Sequence, residues 1–155
     1  TTPPMEFEEF RKRVETKKRT DPHLFCLEND TIAGPEQIAA FEETHRIRLP
    51  EKYKLFLSTY GGGYFGYANI YSLDPKGVFP VTNENRFQFP LTPGKCLYVS
   101  DNGCGDLYGF RIDPKGRCSE RLFYRDHEDG AIYETEYTDT FEYLVAVGIE
   151  NRSLS

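Results

Sequence analysis

The 155 residues fit one domain of ordinary size and can bury a core without metal or disulfide staples. A formal net charge of −6, and no run approaching the roughly 20 apolar residues a membrane span requires, argue against a nucleic-acid binder and against a membrane-spanning helix. Aromatics make up 15% of the chain, all Phe and Tyr with no Trp, which suits half-buried β-sheet and, as a second reading, a protein-binding surface.

The first fifteen residues are charged and lack an apolar stretch, so no secretory leader is legible and a cytoplasmic location is expected. Thr2-Pro3-Pro4 is expected to open a helix, because Pro is tolerated in a first turn. Phe7, Phe10 and Val14 then mark its apolar face. Glu6, Glu8 and Glu9 come early and Lys17, Lys18 and Arg19 late, an order that complements the helix dipole. The basic run therefore reads as a helix C-terminus rather than a nucleic-acid patch. Asp21-Pro22 ends the segment.

Gly34-Pro35-Glu36-Gln37 starts a second helix with Ile38, Phe41 and His45 on its inner side, His45 being a packed or rim residue. Leu49-Pro50-Glu51 starts a third. Leu49, Tyr53, Phe56, Leu57 and Tyr60 form its apolar stripe, and Gly61-Gly62-Gly63 stops it. Those glycines follow a helix rather than precede one, so the dipole end there has the wrong sign for phosphate.

From Tyr64 the period changes to two. Phe65, Tyr67, Tyr71 and Leu73 predict one strand over 64–73. Asp74-Pro75-Lys76-Gly77 and Asp113-Pro114-Lys115-Gly116 read as turns. Residues 80–95 hold three prolines and read as a long loop. Strands are expected over Cys96–Ser100 and Leu107–Ile112, joined by a Gly-rich hairpin over 101–106, and over Glu120–Arg125 and Ala131–Glu136, joined by the acidic turn 126–130. Thr138 or Asp139 then caps a last helix, with Glu142 at capping-box spacing from Asp139. Its inner face is expected to carry Phe141, Leu144, Val145, Gly148 and Ile149. The fold class is α+β: an antiparallel meander of five or six strands with three N-terminal helices and one C-terminal helix packed against it.

Charge is unevenly spread. Residues 119–143 carry eight acids against Arg121 and Arg125, which accounts for the whole net excess of −6. Such a segment is either a solvated loop or a surface that attracts a basic partner. Cys26, Cys96, Cys104 and Cys118 form no C-x-x-C pair and His23, His45 and His127 are far apart, so the cysteines read as reduced thiols and no metal or other cofactor is expected. Asp101-Asn102-Gly103-Cys104-Gly105-Asp106 looks like a fragment of a calcium loop but lacks the remaining ligands. Nothing orients a nucleophile and base such as Cys104 and His127, so no enzymatic activity is expected.

The block Ile38-Ala-Ala-Phe-Glu-Glu, then Leu49-Pro50-Glu51-Lys52-Tyr53, then Gly61-Gly62 resembles the SUKH superfamily of SMI/KNR-like domains. The Gly103-x-Gly105-Asp106 hairpin and the Phe141-Glu-Tyr-Leu helix resemble it too, so the likeness spans roughly residues 34–147 of a single domain covering 1–155. The resemblance implies protein binding. Bacterial members are typically cytoplasmic immunity proteins that block a cognate toxin, many of these toxins being nucleases, whereas eukaryotic members act in cell-wall regulation and as scaffolds. It also implies that Leu49, Pro50, Tyr53, Gly61, Gly105 and Asp106 are structural. A nuclease has a basic cleft, so Asp126, Glu128 and Asp129, with the tyrosines Tyr64 and Tyr67, are the expected partner-binding residues. No direct contact with nucleic acid or membrane is expected.

Overall fold

The computed structural model describes residues 4–27 and 29–152. The first helix, α1, spans Phe7–Thr20 and buries Phe10 and Val14 completely. Its exposed side is laced by Arg11–Glu8 and Arg13–Glu9 pairs, and the Asp21 N–H closes it on the Lys17 carbonyl. The expected opening at Thr2-Pro3 lies outside the described residues, while Pro4 precedes the helix without joining it.

The second and third helices, α2 (Pro35–His45) and α3 (Glu51–Thr59), start where Pro35 and Pro50 place them. Their corner is fixed by Glu42, whose carboxylate accepts the Leu49 N–H at 2.8 Å and lies 3.4 Å from the Lys54 ammonium. After α3 the Gly61 N–H bonds the Phe56 carbonyl, with φ at +82°. A Cβ at Gly61 would overlap the Asp30 carbonyl, so the turn requires glycine twice over.

Six strands follow in one antiparallel sheet in simple sequence order: β1 (Gly63–Phe65), β2 (Ala68–Ile70), β3 (Cys96–Asp101), β4 (Leu107–Ile112), β5 (Cys118–Arg125) and β6 (Ile132–Glu134). The strand expected over 64–73 is therefore two strands. Gly66, at φ +61°, turns the chain, and the Tyr67 N–H bonds the Gly148 carbonyl of the C-terminal helix at 2.9 Å. The expected alternation also fails there, with Phe65 and Tyr71 buried and Tyr67 half exposed.

The expected loop over 80–95 contains a short helix, α4 (Val81–Glu84), and a 3-10 turn, Arg86–Gln88. The reason is an open sheet edge. β2 pairs with β3 only at Asp101 and Ser100, which leaves the start of β3 without a strand neighbour on that side. Buried Asn85 fills that place, its side-chain amide donating to the Tyr98 carbonyl and accepting from the Tyr98 N–H. Gln88 donates to the Cys96 carbonyl beside it. At the other edge, β6 is shorter than the expected 131–136, because the pairing becomes irregular there: Leu122 accepts the Thr135 N–H and its hydroxyl on one carbonyl while its own N–H bonds Tyr137, two residues further on.

The last helix begins as α5 (Thr140–Tyr143) and continues as a π-helical stretch, Leu144–Ile149. Asp139 caps it, accepting the Glu142 N–H at 2.9 Å, as the spacing predicts. All of Leu144–Gly148 is buried rather than one face alone. Aromatic contacts join helices and sheet: Tyr53 of α3 meets Phe110 of β4 at 5.3 Å between ring centres, Phe10 of α1 stacks on Phe141 of α5 at 4.5 Å, and Phe65 of β1 lies against Phe10 and Phe56. Among the described residues no helix is long and apolar enough to cross a membrane.

A candidate protein-binding surface

In an antiparallel meander, alternate hairpin turns fall at the same end of the sheet. The turns β1–β2 (66–67), β3–β4 (102–106) and β5–β6 (126–131) therefore share one end here. That end carries Asp101, Asp106, Asp126, Glu128 and Asp129. The structure thus gathers acids that are 28 positions apart in sequence, Asp101 joining the turn expected from the sequence.

Two acids of the β5–β6 turn are held by local hydrogen bonds. Asp126 accepts the Glu128 N–H at 2.7 Å and the Tyr124 hydroxyl at 3.2 Å. Asp129 accepts the Ala131 N–H at 2.8 Å and the Tyr133 hydroxyl at 2.9 Å, bonds that hold its pKa below the ordinary carboxylate value. Glu128 is the freest, with most of its side chain in solvent. These are turn bonds of the Asx kind, and they fix rotamers that a binding event would otherwise have to order.

Asp106 joins two of the turns. Its carboxylate accepts the His127 N–H at 3.0 Å and the His127 Nδ1–H at 2.6 Å, so β3–β4 and β5–β6 are clamped together. The side-chain bond raises the His127 pKa and lowers that of Asp106. Burial pushes the Tyr124 hydroxyl up to about 12, and the charges of Asp106 and Asp126 push it the same way. Gly105 lies close under this clamp at φ +100°.

The tyrosines sort differently from expectation. Tyr67 is exposed at the same end of the sheet but at the β1–β2 edge. Tyr64 is set into the sheet face away from the helices and packs on Phe79 at 5.3 Å. Four strand spacings, about 19 Å, separate β1 from β5. The tyrosines that do adjoin the acids are Tyr124 and Tyr133, stacked at 6.0 Å and directly paired across β5–β6. Their pairing depends on the turn register, which is why composition alone did not single them out; the signal was a Tyr on either side of an acidic turn.

Among the described residues, Asp106, Asp126 and His127 place one donor atom each within 4.8 Å of one another, a possible cation site in outline. Those donors are already engaged in the turn bonds above. In the neighbouring 101–106 turn, Asp101 accepts the Gly103 N–H and Asn102 accepts the Cys104 and Asp106 N–H groups. Asp101 also accepts the Tyr71 hydroxyl at 2.7 Å, which ties the turn to the core.

Three residues of the recognisable motif gather at the α3 corner. Leu49 is buried, Pro50 leads into α3, and Tyr53 is fully buried with its hydroxyl bonded to the Tyr71 carbonyl at 2.7 Å. Lys52 reaches the buried Asp139 at 2.7 Å and the Met5 carbonyl at 2.8 Å, joining α3 to both ends of the fold. A family model, SUKH_6, described as SMI1-KNR4 cell-wall, matches residues 35–144, from the start of α2 into the C-terminal helix. That match takes in the Leu-Pro helix, the whole sheet and the Asp139 cap, and the chain belongs to the SUKH_6 family.

Proposed function

We propose that this chain is an immunity protein, which binds and neutralises a cognate toxin in the cytoplasm by protein–protein contact alone. The toxin is a basic, nuclease-like protein, and the acidic hairpin end of the sheet is the surface that meets it. The observation that carries the reading is the constraint on Asp126 and Asp129, both anchored by turn N–H groups and tyrosine hydroxyls. A fixed array of anions can stand in for phosphates in a basic cleft, and its field steers the encounter. Tyr133 beside it supplies exposed aromatic surface of the kind that anchors interfaces.

Calorimetric titration against the C-terminal domain encoded by the adjacent upstream reading frame tests this. Immunity requires 1:1 binding at about nanomolar Kd or tighter. No heat at about 100 µM, a binding energy weaker than about −5.5 kcal/mol, rejects the pairing. The matched family's description, which names the cell wall, favours a second reading: a regulatory or scaffolding module with no toxin partner. That reading leads if the titration is flat.

A further inference from the structure

We propose that the groove between α1 and the C-terminal helix is a second docking site. It takes an acidic segment of a partner protein and seats an apolar side chain of that segment on Val145 and Ile149. The groove is a shallow cavity of about 350 Å³, enough for one or two side chains.

Its shape follows from the sequence of α1. Thr16 and Thr20, one turn apart, are short and leave the floor open beside Val145 and Ile149, which are also four apart. The longer Lys12, Arg13 and Lys17 wall the groove on the α1 side, and Glu150, paired with Arg152, stands at the other rim. Arg13 is paired with Glu9, and Lys18 on the next position lies over the Phe25 and Tyr60 rings. Among the described residues neither Lys12 nor Lys17 has a carboxylate within 4.0 Å. An apolar floor beside three cations and one carboxylate that is itself paired selects an anionic, partly apolar occupant.

The far wall supplies an independent observation. Leu144–Ile149 is π-helical, a rare conformation that recurs at functional sites. It is held open by bonds outside the α-helical pattern: the Tyr67 N–H takes the Gly148 carbonyl, and the Glu150 and Arg152 N–H groups take those of Val145 and Ala146. The widened turn sets Val145 and Ile149 along the groove. The residues that line the groove all lie outside residues 35–144, which the family model matches. The groove is also of opposite charge to the hairpin end, and so the two sites can fail separately.

The test is an amide NMR titration of the full chain with a blocked peptide of repeated Glu-Glu-Leu. The expected result is shift changes at Lys12, Thr16, Lys17, Val145 and Ile149. Binding should weaken at least about tenfold in Lys12→Glu/Lys17→Glu, by loss of charge attraction. Thr16→Leu, which fills the floor without altering charge and suits a helix, should weaken it by a similar factor. Shifts elsewhere, or none, overturn the proposal. So does undiminished binding by Thr16→Leu, equal binding of a Lys-Lys-Leu peptide, or equally tight binding of an oligothymidylate, which would mark a plain polyanion surface. Shifts that appear without peptide as protein concentration rises would assign the groove to a second copy instead and equally overturn it.

Discussion

The corner around α3 and the hairpin end of the sheet use the same residue types for opposite ends. At the corner, Tyr53 and Asp139 are buried, Lys52 is mostly so, and their polar atoms are matched to partners from distant parts of the chain. At the hairpin end, the Asp126 and Asp129 carboxylates take their hydrogen bonds from Tyr124, Glu128, Ala131 and Tyr133, all within a few residues, and keep their charge facing water. A buried charge needs its partner in place for the fold to form; an exposed one, held by its own turn, is available to a partner from outside. The corner ties the fold together, and the hairpin end leaves its carboxylates toward solvent.

Substitutions should separate the two regions by the size of their effect on stability. Asp139→Ala strands the Lys52 ammonium in a mostly buried site and removes the cap of the last helix. It should cost about 3–5 kcal/mol, read from urea unfolding. A loss below about 1 kcal/mol would place this corner with the exposed ion pairs and erase the contrast. Tyr53→Phe keeps the ring but leaves the Tyr71 carbonyl unbonded, and should cost about 1–3 kcal/mol by the same measurement.

The His127–Asp106 clamp should show in the pH dependence of thermal unfolding. The His127 pKa is raised above its ordinary 6.5, so its contribution is complete below 6.5 and fades as pH rises through the higher folded value. The Asp106 pKa is lowered below 3.8, so its contribution is complete above 3.8 and fades as pH falls through the lower folded value. The clamp therefore stabilises most between 3.8 and 6.5. His127→Ala should remove the decline above that window; an unchanged profile would show that the clamp is not formed in solution. Glu128→Gln should be the quietest change, within about 0.5 kcal/mol, because its side chain is free in solvent.

The sequence was most legible where punctuation is local. Pro35, Pro50, Asp139 and the Gly61–Gly63 run set element ends by their own backbone requirements, and all four boundaries stand in the fold. It was least legible where a distant element decides. Gly66 breaks the expected strand because the C-terminal helix approaches it so closely that a Cβ would overlap the Gly148 carbonyl, a contact across 82 positions. Asn85 shapes its segment by serving a strand edge that local periodicity does not reveal. The candidate surface divides the same way. The acids of one turn could be read directly, but their union with Asp101 and Asp106, and the pairing of Tyr124 with Tyr133, required the order and register of the strands.

The most direct test of the account is the rate at which the chain associates with the proposed partner, the C-terminal domain encoded by the adjacent upstream reading frame, measured by stopped flow over a series of salt concentrations. The comparison is with Asp126→Asn/Glu128→Gln/Asp129→Asn, in which the Asn side chains can still accept the turn bonds. The account predicts association at least about tenfold slower at low salt for the variant, with a flattened salt dependence and little change in stability. An association rate and salt slope equal to those of the unsubstituted chain would contradict it and remove the hairpin end as the binding surface.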